Sequence, residues 1–224
     1  AVRGGGIFSG RGRLMERPQE PYFRLFHEKG ISYEREGGKL TVQGLLAPGR
    51  YALPGGVSSQ FATGLLFALP LLDGDSEIVL TSALESRGYV DMPLAVLEGA
   101  GIQVEEREDG IFVPGGERYR PRSLAVEADW SQAAFWYAAK SMGSAVEVEG
   151  MDPGSTQGDK VVMDHLAALS GPGVVELDVS GCPDLAPPLA AAAALRAGRT
   201  TRFSHAARLR IKESDRLASI TQAL

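Results

Sequence analysis

The residues best suited to chemistry lie near the end of the sequence, in the segment Arg208–Arg216. Its nine residues include four cations and two carboxylates, and the apolar spacing that follows, Leu217–Leu224, predicts a helix. Ser214 and Asp215 are candidate N-caps, because short side-chain oxygens accept from the unpaired amides of a first helical turn. Cations beside the positive end of a helix dipole favour a bound anion. We therefore interpret this segment as an anion-binding loop, with a solvated charge run as the alternative.

A second candidate site follows the glycine pair at residues 55–56. Ser58, Ser59 and Gln60 offer hydroxyls, an amide and backbone amides at the start of an apolar run. This composition suits a phosphate or carboxylate cradle. An ordinary helix N-cap is the alternative.

Other polar residues lie at similar junctions. Arg13 stands in a charged loop, and Ser86 and Tyr89 supply hydroxyls that could hold a polar ligand. Asp184 precedes a wholly apolar helix, where a carboxylate serves as a cap or as a positioned base. Arg13 could instead be an ordinary surface arginine, and Ser86 and Tyr89 could instead make hydrogen bonds within a turn.

An internal repeat predicts the elements that carry these residues. Residues 25–44 match residues 96–115, and Gly30 aligns with Gly101. Each copy predicts a helix, a glycine stop and two short strands joined by a tight turn. The full unit is strand, helix, strand, helix, strand, strand, at a spacing of about 70 residues. Units of this kind predict an α/β (α+β) sandwich.

Buried helices are predicted after each junction, from Ser59, Ser131 and Asp184. A strand should follow each one. These strands are predicted at Glu77–Thr81, Ala145–Glu149 and Thr200–Ser204.

Composition limits the possible functions. The net charge of -5 and pI near 5.3 argue against broad nucleic-acid binding. The single cysteine, Cys182, excludes an internal disulfide framework and a cysteine-rich zinc site, and fits a reducing compartment. No stretch approaches the roughly 20 apolar residues of a membrane helix. We expect a cytoplasmic protein that binds neither nucleic acid nor membrane, and no metal site.

Five segments in sequence order together resemble the EPSP synthase (3-phosphoshikimate 1-carboxyvinyltransferase) family of enolpyruvyl transferases. They are Arg13–Pro18, Gly55–Phe61, Glu85–Asp91, Pro183-Asp184 and Arg210–Arg216. The resemblance implies two domains built from βαβαββ units, packed as an inverse α/β barrel-like pair. Residues 1–127 would be the later part of one domain and residues 128–224 the earlier part of the second.

The resemblance also implies a reaction. The enolpyruvyl group of phosphoenolpyruvate passes to the 5-hydroxyl of shikimate 3-phosphate, and phosphate is released, in the shikimate pathway to chorismate and the aromatic amino acids. No organic cofactor takes part. Asp184 and Glu213 would be catalytic. The implied substrate-binding residues are Arg13, Ser58, Ser59, Gln60, Ser86, Tyr89, Arg208, Lys212 and Arg216.

Some features depart from the family pattern. Arg208 stands where many members carry asparagine, and the family's terminal Lys-Ser-Arg, Asn-Ala-Gly, His-Arg and Lys motifs are not found. We therefore expect an internal fragment, truncated within its last helix and inactive by itself, of an enzyme that is monomeric at full length. The alternatives are a UDP-N-acetylglucosamine enolpyruvyl transferase and a non-catalytic anion-binding fragment.

Overall fold

The computed structural model describes residues 2–56, 59–82, 87–212 and 214–224, except for the side chain of Arg13. The chain forms two compact units. The first extends as far as Arg122, and the second comprises Ser123–Leu224 with a short segment that ends at Gly88. No helix in the described ranges has both the length and the apolar character needed to cross a membrane.

The first unit alternates strands and helices. Two 3-10 helices, Gly12–Glu16 and Leu69–Leu71, accompany them. The elements are β1 (Gly5–Ser9), α1 (Glu20–Glu28), β2 (Ser32–Glu36), β3 (Lys39–Gln43), β4 (Gly49–Leu53), α2 (Ser59–Ala68), β5 (Ser76–Leu80), α3 (Gly88–Gly99), β6 (Glu105–Arg107) and β7 (Gly110–Val113).

The sheets of this unit confirm the predicted repeat. One sheet has the order β4-β5-β7-β6, in which β4 and β5 are parallel and the other pairs are antiparallel. Together with α2 and α3 it forms one complete βαβαββ unit. The other sheet, β1-β3-β2, reproduces the order β5-β7-β6 with α1 in place of α3.

Both helices that precede the hairpins end in the predicted way. Gly30 and Gly101 have φ angles of 67° and 84°, which only glycine adopts freely. Ile31 N–H donates to Phe26 at 2.8 Å and Ile102 N–H donates to Leu97 at 2.9 Å, which is the six-to-one bond of a Schellman motif. Both isoleucines are buried. The glycine therefore turns the chain so that an apolar residue enters the core.

The apolar helix α2 packs in the core of the first unit through Phe61, Ala62, Leu65 and Leu66, and its exposed residues are Gln60 and Gly64. Leu66 packs with Tyr51, Ile78 and Leu97 in one buried cluster. Full burial of such side chains contributes about 1.5 to 3 kcal/mol each.

The second unit surrounds a small parallel sheet with helices. Its 3-10 helices are Gly158–Val161, Pro183–Leu185 and Ala207–Ile211. Its other elements are α4 (Trp130–Ser141), α5 (Val162–Ser170), β8 (Val175–Asp178), α6 (Ala186–Ala194), β9 (Thr201–Ser204) and α7 (Arg216–Ala223). Strands β8 and β9 are parallel and connected through α6, as β4 and β5 are through α2.

One predicted strand of the second unit is wrong. Residues Ala145–Glu149 are irregular, and none of them is buried. Their apolar and polar residues alternate, but a strand also needs a neighbour to complete its hydrogen bonds, and no described strand pairs with this segment. Between α5 and β8, where every residue is described, the second unit has no hairpin, because α5 leads directly to β8.

Candidate functional site

Asp184 lies in the 3-10 helix between β8 and α6. Pro187 and Pro188 follow in the first turn of α6, where a missing N–H costs nothing because those amides have no intrahelical partner. Leu185 is fully buried and fixes this turn against the core. The Asp184 side chain stays 35% exposed and so remains accessible to a ligand.

Arg216 is the first residue of α7. Asp215 is the N-cap predicted from the sequence, and its Oδ1 accepts from the Ala218 amide at 3.1 Å. That amide, followed by Arg210, holds the pKa of Asp215 below its usual value. The cap fixes the helix start, and thereby the point from which the Arg216 side chain extends.

Arg216 and Asp184 form an ion pair. An Nη1 hydrogen of Arg216 is donated to Oδ1 of Asp184, and the same nitrogen lies 3.4 Å from the Pro183 carbonyl oxygen. Only 18% of the arginine side chain is exposed. The structure thus brings a predicted catalytic carboxylate and a predicted substrate-binding cation into direct contact.

This pair lines a cleft of about 530 Å³ in the second unit. The volume suits a small-molecule ligand. Ser131 and Gln132 of α4, Ser214, and Ser219 of α7 are the other polar lining residues, and the remaining ones are apolar. The lining residues are Ser131, Gln132, Phe135, Asp184, Pro187, Ala190, Ala191, Ser214, Arg216, Ser219, Ile220, Ala223 and Leu224.

The first turn of α4 is capped from within the protein. Asp129 Oδ1 accepts from the amides of Ser131 at 2.8 Å and Gln132 at 3.2 Å. The Trp130 amide donates to the side-chain oxygen of Gln157 at 2.8 Å. These donors are therefore already used within the protein, and the positive charge among the residues that line the cleft is that of Arg216.

Arg208 and Lys212 belong to the same loop as Arg216. Arg208 lies in the 3-10 helix Ala207–Ile211, and Lys212 follows that helix directly. Leu209 is 1% exposed and packs with Val179 and Ala186, which anchors the loop beside the segment that leads to Asp184. Three predicted cations and one predicted carboxylate therefore lie on adjoining loops of one unit.

The remaining site predictions fall on the first unit or outside the described residues. Ser59 starts α2 and is buried, Gln60 follows it and is exposed, and Tyr89 is half-buried near the start of α3. Ser58, Ser86, Glu213 and the side chain of Arg13 lie outside the described residues. The roles of all the site residues stay predictions.

Sequence reasoning assigned no binding role to Ser131 or Gln132, although both line the cleft. The repeat contained the signal, because they lie in the first turn of α4 as Ser59 and Gln60 lie in the first turn of α2. Ser219 is a different case, since only the packing of α7 against α6 brings it to the cleft.

Cys182 does not have the environment of a nucleophile. Burial raises the pKa of its thiol to about 12, with smaller contributions from nearby carboxylates. Its sulfur lies 3.5 Å from Nε2 of His165, whose pKa is itself lowered by burial. A thiol that stays protonated is unreactive, so this environment suits a packing role for Cys182.

Comparison with known proteins identifies the family to which this chain is similar. The model of the family described as EPSP synthase (3-phosphoshikimate 1-carboxyvinyltransferase) matches residues 2–176. Curated proteins named 3-phosphoshikimate 1-carboxyvinyltransferase from Clostridium acetobutylicum and Clostridium kluyveri are each 42% identical over 97% of this chain. The chain spans 55% of the length of each, about half of these relatives.

Solved structures show the same fold at low sequence identity. EPSP synthase from Acinetobacter baumannii covers 99% of this chain with a TM-score of 0.70 and 21% identity, and the chain covers 56% of it. The enolpyruvyl transferase NikO from Streptomyces tendae covers 89% with a TM-score of 0.58 and 16% identity, and the chain covers 53% of it. On the family match and the enolpyruvyl-transferase fold together, this chain belongs to the EPSP synthase (3-phosphoshikimate 1-carboxyvinyltransferase) family.

Proposed function

We propose that this chain supplies the central part of an enzyme that transfers the enolpyruvyl group of phosphoenolpyruvate to the 5-hydroxyl of shikimate 3-phosphate. Phosphate is the second product. The observation that carries the proposal is the contact between Arg216 and Asp184 in an open cleft. It places an anion-binding cation beside a carboxylate that can accept a proton. The names of the curated relatives favour this acceptor over a nucleotide sugar.

The cations of the loop suit the substrates. Both substrates carry phosphate and carboxylate groups, and a guanidinium matches such groups with two parallel hydrogen bonds. Arg216 would hold phosphoenolpyruvate, with Arg13 and Gln60 as further contacts. Lys212 would bind the acceptor, together with Ser58, Ser59, Gln60, Ser86 and Tyr89. Arg208 is a further proposed substrate contact.

Asp184 would act as the base. As it takes the proton of the 5-hydroxyl, the oxygen bonds to C2 of phosphoenolpyruvate while the methylene carbon gains a proton. The resulting tetrahedral intermediate then loses phosphate and one methyl proton, which restores the double bond. Glu213 is proposed to move the proton at the methylene carbon. Both steps need an acid and a base held close to the reacting atoms.

Two further properties complete the proposal. The complete protein would act as a monomer made of domains that correspond here to residues 1–127 and 128–224. A cytoplasmic location is proposed because a single buried thiol suits a reducing compartment.

The proposal is tested with two proteins. One is the 224-residue chain, and the other, the completed chain, joins it to the flanking segments of the Clostridium acetobutylicum relative. We expect the completed chain to release phosphate only when both substrates are present. Asp184→Ala should abolish this turnover while the circular-dichroism spectrum stays unchanged. Near-normal activity of that variant would refute the role of Asp184.

The choice of acceptor is tested by thermal shift. Shikimate 3-phosphate should raise the melting temperature of the completed chain, and UDP-N-acetylglucosamine should not. The reverse result would move the proposal to the nucleotide-sugar enzyme. If the completed chain folds and binds an anion but shows no turnover, the result would favour the alternative of a non-catalytic anion-binding protein.

A further inference from the structure

Two loops of the second unit leave the same edge of its parallel sheet. Asp178 ends β8 and is aligned with Ser204, which ends β9. The loop after Asp178 leads to Asp184, and the loop after Ser204 carries Arg208 and Arg216. A hydrogen bond between the first residues of these loops therefore affects how Asp184, the proposed base, is oriented relative to Arg208 and Arg216.

The side chain of Asp178 makes hydrogen bonds of this kind. Its Oδ1 accepts from the Ser180 amide at 2.8 Å, which closes the start of the first loop. Its Oδ2 lies 3.1 Å from Nδ1 of His205, the first residue of the second loop. The Asp178 carbonyl oxygen also accepts from the Cys182 thiol at 3.8 Å. One residue thus bonds to both loops.

His205 has an unusual backbone. Its φ of 53° is the sole positive value at a non-glycine position within the described ranges. The left-handed region costs a side-chain-bearing residue on the order of 1 kcal/mol or more and persists only where neighbours hold it. At this position it turns the chain out of β9 into the 3-10 helix with Arg208. The bond to Asp178 holds the residue in this conformation.

The two loops also contact each other at other points. Val179, Ala186 and Leu209 form a small buried cluster between them. Arg216, at the end of the second loop, contacts Asp184. The contact between Asp178 and His205 is therefore one of several that join the two loops.

A contribution to folding stability is a poor explanation for the contact between His205 and Asp178. The side chains of His205 and Asp178 are 70% and 55% exposed, and exposed pairs contribute about 0 to 1 kcal/mol. Geometry is the better explanation, because a misplacement of about 1 Å at a reacting group can cost about 100-fold in rate.

We propose that Asp178 and His205 are positioning residues, which set the orientation of Asp184 relative to the cations of the loop Arg208–Arg216. They touch neither substrate and act through the two loops. The inference rests on the proposed function for its effect on catalysis.

The same two strands provide a matched control. Glu176 and Arg202 face each other across β8 and β9, two residues before Asp178 and Ser204, with 3.9 Å between their charged groups. They are similarly exposed, at 57% and 68%, but lie on no site loop. Their loss removes a surface pair of the same strands without loosening either loop.

A rescue variant distinguishes a positioning role of His205 from a role in folding alone. In His205→Asn, the amide Nδ2 takes the place of the imidazole Nδ1, since both atoms are bonded to Cγ. Asparagine also enters the left-handed region more readily than most residues. His205→Ala has neither property. Asp178→Asn keeps an oxygen for the Ser180 amide but removes the charge that faces His205.

The first test measures kcat and KM of the completed chain. We expect His205→Ala to lower kcat by about 10-fold, and Asp178→Asn by several-fold. His205→Asn, Glu176→Gln and Arg202→Ala should stay within about twofold of the parent, and all melting temperatures should remain similar. Equal losses in His205→Ala and His205→Asn, or a His205→Ala variant that matches Arg202→Ala, would overturn the proposal.

The second test does not depend on turnover. The Nη1 signal of Arg216 is followed by NMR in the 224-residue chain, where the ion pair with Asp184 should shift it from the position of a solvated guanidinium. In His205→Ala the signal should move towards the solvated position, and in Arg202→Ala it should not. An unmoved signal in His205→Ala overturns the positioning role. An inactive parent enzyme would instead refute the proposed function and leave this NMR result to decide the inference.

Discussion

The guanidinium of Arg216 donates to the carboxylate of Asp184 across 32 positions of sequence, in a cleft of the second unit. Under the proposed function, Asp184 is the base and Arg216 holds phosphoenolpyruvate. This one contact therefore joins the two proposed roles.

The ion pair should contribute measurably to stability. Arg216→Ala leaves a partly buried carboxylate without this donor, and we expect a loss of about 1 to 2 kcal/mol in the free energy of unfolding, as for hydrogen bonds to charged groups. Arg202→Ala, which breaks an exposed pair, should cost about 0.5 kcal/mol or less. Urea unfolding of the 224-residue chain measures both. Equal losses of unfolding free energy in the two variants would mean that the Arg216 and Asp184 pair stabilises the protein no more than an exposed pair does.

Phosphoenolpyruvate should bind the 224-residue chain more weakly than the completed chain. The family's further cationic motifs are not among these residues, so fewer charges face the ligand. Isothermal titration calorimetry should give a Kd at least about 10-fold higher for the 224-residue chain. Equal affinity in the two proteins would show that these residues alone hold the donor.

Cys182 should react slowly with iodoacetamide in the folded chain. Its thiol is buried and its pKa is raised to about 12, so little thiolate is present at pH 8. Unfolding in urea should accelerate the reaction by at least about 100-fold. Mass spectrometry of the carbamidomethylated chain measures both rates, and rapid labelling of the folded protein would contradict the described burial.

His165 should make the chain less stable in mild acid. Burial lowers its pKa from 6.5, against the opposing charges of Asp164 and Asp178. The unfolded chain therefore binds the proton at a higher pH than the folded chain, and stability falls as the pH drops below about 6.5 towards the lowered value. His165→Gln should flatten the melting temperature between pH 7 and pH 5. An unchanged slope in this variant would assign the acid sensitivity to other groups.

Asp129→Ala should destabilise the helix that begins the second unit. The carboxylate accepts from the amides of Ser131 and Gln132, and loss of such a cap costs about 1 kcal/mol. Asp129→Asn keeps an accepting oxygen and should lose about half as much or less. Chemical denaturation compares the two variants. An equal loss in the two variants would show that charge, and not the hydrogen bonds, fixes this turn.

Much of the fold could be predicted because its signals are local. The glycines at 30 and 101, the cap at Asp215 and the apolar runs of α2 and α6 each determine their own turn or helix through nearby residues. The strand predicted at Ala145–Glu149 failed because a strand is not local, and its alternation has no described partner to complete the ladder.

The candidate site divides in the same way. By itself, the sequence determined which residue types could bind anions and move protons, and the repeat that places them at helix starts and loops. The tertiary structure alone decided which of them touch. Asp184 meets Arg216 and Asp178 meets His205 because β8 and β9 pair in parallel and send both loops from one edge of the sheet. Contacts between residues about 30 positions apart depend on that pairing, which no local pattern encodes.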